Sequence, residues 1–241
     1  KMPEFFTTPA GRAVFGVIIA LLAIVIIDLN YKWFFKFVFD FIFAFIATLI
    51  CSPVLAVCSV ISANNAGRVF ERKPYLGKNG KIIFVHSFAG IENRLKNLPR
   101  LFDIMGGRIS FVGVKLMEIS DAALMEDNAM SRFNARPGAV CHLALTVYEN
   151  LTYEQMFTLD ARYAKRRELF TDIFIIIKSA VLAIRGEGKS YFGEAADKSY
   201  AQTLVSRGAI TEDTAERSAR AAEEALEEDE KRKEVKKQKY K

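Results

Sequence analysis

The residues whose side chains could catalyse a reaction or bind a metal stand far apart in this sequence. The two histidines, His86 and His142, have no partner at the spacing of a metal site or of a nucleophile and its base. The glycine-rich segment 77–81 (Gly-Lys-Asn-Gly-Lys) lacks the spacing and the Lys-Ser/Thr ending of a phosphate-binding loop. We therefore interpret both histidines as structural and predict no metal site. The three cysteines, also interpreted as small buried thiols, are Cys51, Cys58 and Cys141.

A group of acidic residues in the middle of the chain could supply a catalytic carboxylate. Asp103 falls on an amphipathic helical pattern, which favours a surface or capping position. Asp121, Glu126 and Asp127 fit the solvated face of a helix, and Glu118 lies close to them in the sequence. The pattern alone therefore marks none of these carboxylates as an acid, a base or a nucleophile.

The apolar residues are segregated along the chain, which explains how 51% hydrophobic residues coexist with 26% charged residues. Residues 13–27 form an apolar run without a charge, preceded by Thr8-Pro9, and they predict an N-terminal membrane helix. The run is short for a span of roughly 20 residues, so a helix lying in the interface is the alternative. The net charge of +6 fits basic residues flanking membrane segments, and the sequence has no nucleic-acid-binding motif.

A second apolar segment contains a proline near its centre. Residues 41–65 carry no charge, and lipid requires such a segment to satisfy its own backbone hydrogen bonds as a helix. Pro53 removes one of those hydrogen bonds, and Ser52 can help to satisfy the freed group. Two arrangements fit: a membrane-spanning helix with a proline kink, or a re-entrant helix that breaks at Ser52-Pro53 and leaves the membrane on the side where it entered.

The remaining sequence predicts a small globular part and a charged tail. Asn79-Gly80 between two short apolar runs is a strong hairpin signal, because both residues tolerate positive φ. A charge-rich helix is expected to begin near Thr211. The predicted fold is therefore a membrane-associated α+β protein, mostly helical with a short β-hairpin. Its parts are an N-terminal membrane helix (1–31), a second membrane helix (32–65), a globular domain (66–190) and a helical C-terminal extension (191–241).

Several short motifs follow one another in a characteristic order between residues 32 and 188. They are 36–40 (Lys-Phe-Val-Phe-Asp), 52–53 (Ser-Pro), 67–72 (Gly-Arg-Val-Phe-Glu-Arg), 77–80 (Gly-Lys-Asn-Gly), 98–103 (Leu-Pro-Arg-Leu-Phe-Asp), 107–113 (Gly-Arg-Ile-Ser-Phe-Val-Gly) and 136–138 (Arg-Pro-Gly). In content and order they resemble motifs of the bacterial sugar transferase family, the monotopic polyprenyl-phosphate phosphoglycosyl transferases.

The resemblance implies a function and a location. Members of that family transfer a phospho-sugar from a UDP-sugar to polyprenyl phosphate at the cytoplasmic face of the bacterial inner membrane. The resemblance also favours the re-entrant form of the second helix, with Lys36, Asp40, Ser52 and Pro53 as its characteristic residues. We accordingly expect the globular part on the cytoplasmic face.

The chain departs from the family where the chemistry is expected. Family members carry Asp-Glu immediately before Leu-Pro, the Asp as nucleophile and the Glu beside Mg²⁺; the matching residues here are Lys96 and Asn97. The Asp of the family's Gly-Asp-Met-Ser is Arg108, and Lys115 lies where the family has Pro-Arg-Pro. We therefore predict no catalytic residue and no cofactor in this chain, with Mg²⁺ only in an active partner. Lys115 and Arg136 are the predicted phosphate contacts.

Three functions follow, in order of preference. The first is a non-catalytic membrane subunit that pairs as a heterodimer with an active homologue and contacts membrane lipid or polyprenyl phosphate. The second is an active sugar-phosphate transferase whose carboxylates stand at other positions. The third is a membrane scaffold that recruits an unrelated partner through its C-terminal helix.

Overall fold

The computed structural model describes residues 8–145, 151–185 and 198–239, and they form a mostly helical α+β fold. The helices are α1 (Pro9–Asn30), α2 (Lys36–Ala66), α3 (Arg100–Met105), α4 (Ile119–Ala123), α5 (Tyr153–Lys165), α6 (Leu169–Arg185), α7 (Tyr200–Ser206) and α8 (Glu212–Lys239). The strands are β1 (Phe70–Leu76), β2 (Ile82–Phe88), β3 (Ser110–Gly113) and β4 (Gly138–Cys141). They form two small sheets, β1 with β2 and β3 with β4.

The first two helices carry most of the exposed apolar surface. Within the described residues, α2 is the helix whose length and apolar composition suffice to cross a membrane, whereas the apolar stretch of α1, Arg12–Ile26, is shorter. A π-helical turn, Tyr31–Phe35, joins the two helices. Large side chains are exposed along both, with Leu21 at 57% and Ile50 at 73% exposure. Exposed apolar surface on this scale indicates contact with a membrane or another protein.

The second helix continues through the position where we predicted a break. Ser52 and Pro53 both lie inside α2, which is one helix from Lys36 to Ala66. Pro53 has no N–H to donate to the carbonyl of Leu49, four residues earlier. The Ser52 hydroxyl donates to that same carbonyl oxygen at 2.8 Å, so the freed acceptor is satisfied and the helix persists. The predicted role of Ser52 is confirmed, the helix is continuous through Pro53, and the re-entrant path of α2 stays a prediction.

The β-hairpin forms as the Asn-Gly signal predicts. Asn79 and Gly80 both have positive φ, 58° and 71°, at the turn between β1 and β2. The strands pair antiparallel from Leu76 opposite Ile82 to the far ends of both strands. Phe88 at the end of β2 is fully buried and packs with α2, so the hairpin is fixed against the membrane helix.

The second sheet, which the sequence did not predict, is a parallel pair of short strands. β3 and β4 run side by side with Gly113 opposite Cys141. A Cβ atom on Gly113 would lie 2.5 Å from the carbonyl oxygen of Arg136, so only glycine permits this close approach. Each strand has four residues, too few for the period-two alternation by which a strand is recognised.

A buried polar network fixes the start of α2 to the domain. Lys36 Nζ donates to Asp40 at 3.0 Å and to Asp172, on α6, at 2.6 Å. The hydroxyls of Tyr31 and Tyr163 also donate to Asp172, each at 2.7 Å. All five side chains are buried. The network therefore joins the turn before α2 and the start of α2 to α5 and α6.

Strand β3 joins the same network. The Ser110 hydroxyl donates to one carboxylate oxygen of Asp40, and the backbone N–H of Phe111 donates to the other at 3.1 Å. Ala44, one turn further along α2, is fully buried against Ile104 and Ile109. The polar contacts and this apolar contact together hold the first half of α2 on the globular domain.

Part of the C-terminal segment packs on the globular domain. Tyr200 in α7 lies against the rings of Tyr153 and Phe157, with centroids 5.0 and 5.1 Å away. Asp121 is buried and accepts the backbone N–H groups of Tyr200 and Ala201. Our prediction that Asp121 is exposed to solvent was wrong. Its partners lie 79 and 80 residues further along the chain, so the local sequence pattern does not show them.

The long C-terminal helix begins at Glu212, close to its predicted start. The Ser218 hydroxyl donates to the carbonyl of Ser120 at 2.6 Å, and Ala222 is buried. These contacts attach the first half of α8 to α4. The pair Arg217–Asp213, one helical turn apart, is mostly exposed to solvent.

We predict that Asp172→Asn destabilises the protein strongly. Removing this charge leaves buried Lys36 with a single carboxylate, and breaking a buried pair costs about 3 kcal/mol. That corresponds to a fall in Tm of roughly 10 °C in detergent for a chain of this size. Asp213→Asn, which breaks only an exposed pair, is the control and should move Tm little. Equal Tm values for the two variants would show that the network does not hold the fold together.

Candidate functional site

The two positions that replace the family's acidic pair lie on a short 3₁₀ turn, Arg94–Asn97. Lys96 Nζ lies 2.9 Å from Glu71 Oε1, and the Ser87 hydroxyl donates to the same oxygen at 3.0 Å. The hydrogen bond from Lys96 is the main cause that lowers the pKa of Glu71. Asn97 is exposed to solvent. A carboxylate from β1 thus neutralises the cation that stands at the first position of the pair.

A second carboxylate near this turn is already occupied. Asp103 is fully buried and accepts the backbone N–H and the ring Nδ1 of His86, both at 2.7 Å. Arg108 Nη1 donates to Asp103 at 3.0 Å. The surface position that we predicted for Asp103 was wrong, because its helical spacing gave no sign of partners on β2. His86 helps to bury this carboxylate, and its interpretation as structural stays a prediction.

These residues do not fit a magnesium ion. Mg²⁺ prefers several oxygen ligands, usually with one or two carboxylates. Around positions 96 and 97 the structure offers the carboxylate of Glu71, already bonded to a cation and a hydroxyl, and the neutral amide of Asn97. Lys96 itself would repel the ion. No reaction step through a metal can be derived at this turn.

A different set of metal-ligating side chains comes together in the core. Cys141, His142 and Asp160 place one ligand atom each within 4.8 Å of one another, and all three are buried. Arg132, fully buried, forms an ion pair with Asp160. His142 stacks on Tyr163 with centroids 4.8 Å apart and lies 3.4 Å from Asp160. Because the arginine already neutralises the carboxylate, the cluster is best described as a buried ion pair with a neutral histidine.

The ionisation of this cluster follows from its burial. Burial lowers the pKa of His142, more than the neighbouring Asp160 raises it. Burial also raises the pKa of Cys141, so the thiol stays protonated. The prediction of a buried Cys141 is confirmed, and the interpretation of His142 as structural stays a prediction. Sequence spacing could not reveal the cluster, because Arg132, His142 and Asp160 come from three separate elements.

Lys115 lies in a cleft of about 380 Å³ just beyond β3. Its Nζ stands 5.6 Å from the centre of the Tyr153 ring, and burial lowers its pKa to about 8. Arg100, Tyr75 and the carboxylates Glu118 and Asp121 line the same cleft. Within the described residues, Arg100 Nε is buried without a hydrogen-bond partner. The cleft therefore presents cationic groups in a partly desolvated setting, where they interact strongly with anions.

Arg136 lies in another, smaller cavity at the start of α2. Its guanidinium carbon stands 5.4 Å from the centre of the Phe37 ring. Lys36, Lys78 and Arg167 line the same cavity. The structure therefore does not bring the two predicted phosphate contacts into one site, since Lys115 and Arg136 line separate cavities. Lys78 and Arg167 were not predicted as site residues.

The structure is a mostly helical α+β fold with one long apolar helix and two cavities lined in part by basic side chains. Residues 91–186 match the family described as Bacterial sugar transferase. A protein of Haemophilus influenzae named "Uncharacterized sugar transferase" is 28% identical over 97 residues, which are 40% of this chain and 21% of the relative. The matched part thus spans about a fifth of that relative. Residues 91–186 are thus similar to the bacterial sugar transferase family.

We predict that stability falls below about pH 6.5 because of His142. The folded-state pKa of His142 is lowered from the ordinary value near 6.5, so the unfolded chain binds a proton more readily. Stability is therefore complete above that pH and is lost as the pH falls toward the folded-state pKa. Thermal melting in detergent at pH 7.5 and pH 5.5 should show a smaller fall in Tm for His142→Phe, which keeps the stacking on Tyr163, than for the unchanged protein.

The matched control for this prediction is His86→Gln. This variant retains His142 and should keep the pH dependence of the unchanged protein. If His142→Phe and the unchanged protein lose the same Tm between the two pH values, the titration of His142 does not govern stability in this range.

Proposed function

We propose that this chain is a non-catalytic, phosphoglycosyl-transferase-like membrane subunit. It pairs with an active homologue that transfers a phospho-sugar from a UDP-sugar to polyprenyl phosphate for bacterial glycan assembly. The observation that carries the proposal is the ion pair of Lys96 with Glu71 at the position of the family's acidic nucleophile. A protonated amine cannot attack phosphorus, and the neighbouring Asn97 is a neutral amide.

The charges around that turn support the loss of catalysis. A carboxylate nucleophile must be free to attack, and its metal ion needs further oxygen ligands. Glu71 is bonded to Lys96, and Asp103 is bonded to His86 and Arg108. Each carboxylate is thus held by contacts within the fold.

We further propose that α2 is a re-entrant helix at the cytoplasmic face of the inner membrane. One face of α2 is buried along its length, from Asp40 and Ala44 to Leu55, Cys58 and Ser62. The 31 residues of the helix span about 46 Å, more than the hydrocarbon thickness of a bilayer. If the helix crossed the membrane straight, its two ends would lie on opposite sides. A domain on one side of the membrane could then contact only one end of the helix.

The contacts at the two ends support this arrangement. Asp40 near the start accepts a hydrogen bond from β3. Near the end, the Ser62 hydroxyl oxygen lies 2.6 Å from the carbonyl oxygen of Val69 and 2.5 Å from that of Ala89, beside the hairpin, and can donate its one hydrogen to either. The opposite face exposes large apolar side chains such as Leu49 and Val57. The helix therefore has one face for the domain and one face for lipid.

The enzymatic part of the proposal predicts no turnover by the chain alone. Purified protein with a UDP-sugar, Mg²⁺ and polyprenyl phosphate should release no UMP above background, while an intact family member assayed in parallel should release it. UMP release that disappears in Glu71→Gln or in Asp103→Asn would instead establish an active transferase with a rearranged site.

The pairing predicts that the chain and an active homologue form a complex. Co-expressed with a homologue that keeps Asp-Glu-Leu-Pro, the tagged chain should retain that homologue through detergent purification. A tagged membrane protein of unrelated fold is the control. Elution of the homologue without this chain would contradict the heterodimer. It would not bear on catalysis, which the UMP assay tests separately.

The re-entrant helix predicts that both ends of α2 face the same side of the membrane. Single cysteines are placed at Asn30, before the helix, and at Asn64, near its end, both exposed, in a chain whose own cysteines are replaced by serine. A membrane-impermeant maleimide should label both positions from the same side in inside-out and right-side-out vesicles. Labelling of the two positions from opposite sides would show that α2 crosses the membrane.

A further inference from the structure

A groove of about 850 Å³ runs along one side of α5. Its floor is apolar and includes Ala129 and Phe157, both buried, and Leu204 of α7. Glu154 and Lys165 also line the groove, and because they are eleven residues or about three turns apart, they lie on the same side of α5. Among the described residues, none of α8 lines this groove. The groove can therefore accept a segment from another chain.

One end of the groove is acidic. Burial raises the pKa of Tyr200, which lines the groove, and the charges of Glu154 and Glu126 raise it further, so both carboxylates lie near this ring. Glu154 also bonds to Arg207 at 2.8 Å, but its side chain is still 56% exposed. A partly exposed ion pair of this kind is weak, so the carboxylate remains accessible to a second cation.

The other end of the groove is basic. Arg162, Lys165 and Arg166 line it at the C-terminal end of α5, and all three are exposed. Within the described residues, none of these three side chains forms an ion pair. A polyanion such as a nucleotide fits this groove poorly, because Glu126 and Glu154 would repel it. The groove suits a partner that carries one negative and one positive segment.

The second half of α8 carries two such segments in succession. Residues 223–230 include six acidic and no basic residues, whereas residues 231–239 include six basic residues and one acidic residue. Ser218 attaches the first half of α8 to α4, whereas Glu228, Lys231 and Val235, on one side of the second half, are exposed. Val235 is 64% exposed. The second half of α8 thus presents a charged helical surface with one large apolar side chain.

Opposite charges meet only if this helix and α5 run antiparallel. Along α5 the acidic end of the groove comes first, and along the second half of α8 the acidic segment also comes first. The spacing agrees as well. At 1.5 Å per residue, Glu154 and Arg162 lie about 12 Å apart along α5, and the midpoints of the two segments of α8 lie about 13 Å apart. An antiparallel pair also brings the negative end of each helix macrodipole near the positive end of the other.

From this match we propose that residues 223–239 of α8 dock antiparallel in the α5 groove of a second copy of this chain. In a two-fold symmetric dimer the contact forms twice, since each copy supplies one groove and one helix. Val235 then lies toward the acidic end, where Phe157 and Ala129 form the apolar floor. This contact between identical chains is separate from the proposed pairing with an active homologue and does not rest on it.

The test measures the oligomeric state of the full-length protein in a neutral detergent by sedimentation. We expect a dimer at low salt that dissociates as the salt concentration rises. A groove variant, Arg162→Glu with Arg166→Glu, and a tail variant, Glu227→Lys with Glu228→Lys, each bring like charges together. Each should raise the Kd of the dimer by about a hundredfold. All four side chains are exposed, so the substitutions leave the fold intact.

Mixing the two variants gives the most specific result. In a pair made of one groove variant and one tail variant, both contacts again join opposite charges, so this mixture should form a dimer although each variant alone does not. The matched control is Lys73→Glu with Lys81→Glu, two exposed positions on the hairpin. It changes the net charge by the same amount as the groove variant and should keep the Kd of the unchanged protein.

Three results would overturn the inference. The first is a protein that is monomeric at low salt. The second is a dimer that persists in both variants, which would show that the copies associate through another surface. The third is a mixture of the two variants that stays monomeric, since complementary charge would then not determine the association. Pairing with an active homologue is judged by co-purification, so failure of either contact leaves the other standing.

Discussion

The fold depends on burying a lysine at the start of the long apolar helix α2. A charged amine in an apolar setting is stable only with close carboxylates, and removing one partner leaves an uncompensated charge. Lys36 has two such partners, Asp40 on its own helix and Asp172 on a helix 136 residues further along the chain. Because Asp40 also binds β3, the pair fixes three parts of the chain at once. The long apolar helix α2 is thereby attached to the rest of the described fold by charged side chains.

The features that local sequence determines were predictable. Asn79-Gly80 specifies a hairpin because its two residues adopt positive φ, and no distant contact is needed for that conformation. The long helices follow from composition in the same way. Ser52 and Pro53 show the limit of such reasoning: the proline predicted an interruption, but the hydroxyl one residue earlier satisfies the carbonyl that the proline leaves free.

The polar residues of the core were not predictable, because their partners are remote. Asp103 looked like a surface residue from its helical spacing, yet it is buried by His86 on a strand. Asp121 binds the first turn of a helix about 80 residues away. Arg132 and Asp160 pair across two separate elements in the same way. From sequence alone, a carboxylate on a helical pattern is predicted to be exposed to solvent. Only the tertiary structure shows the partner that buries it.

The family resemblance identifies the turn that contains residues 96 and 97. The carboxylate that balances the charge of this turn comes from outside the matched segment. The match begins at residue 91, whereas Glu71, which neutralises Lys96, belongs to the preceding hairpin. A positive charge at this turn is thus balanced within the chain. At the start of α2 the reverse holds within the described residues, since Arg136 and Arg167 keep buried donors without acceptors. Sequence alone gives no sign of this difference, because each basic side chain meets its surroundings only in the tertiary structure.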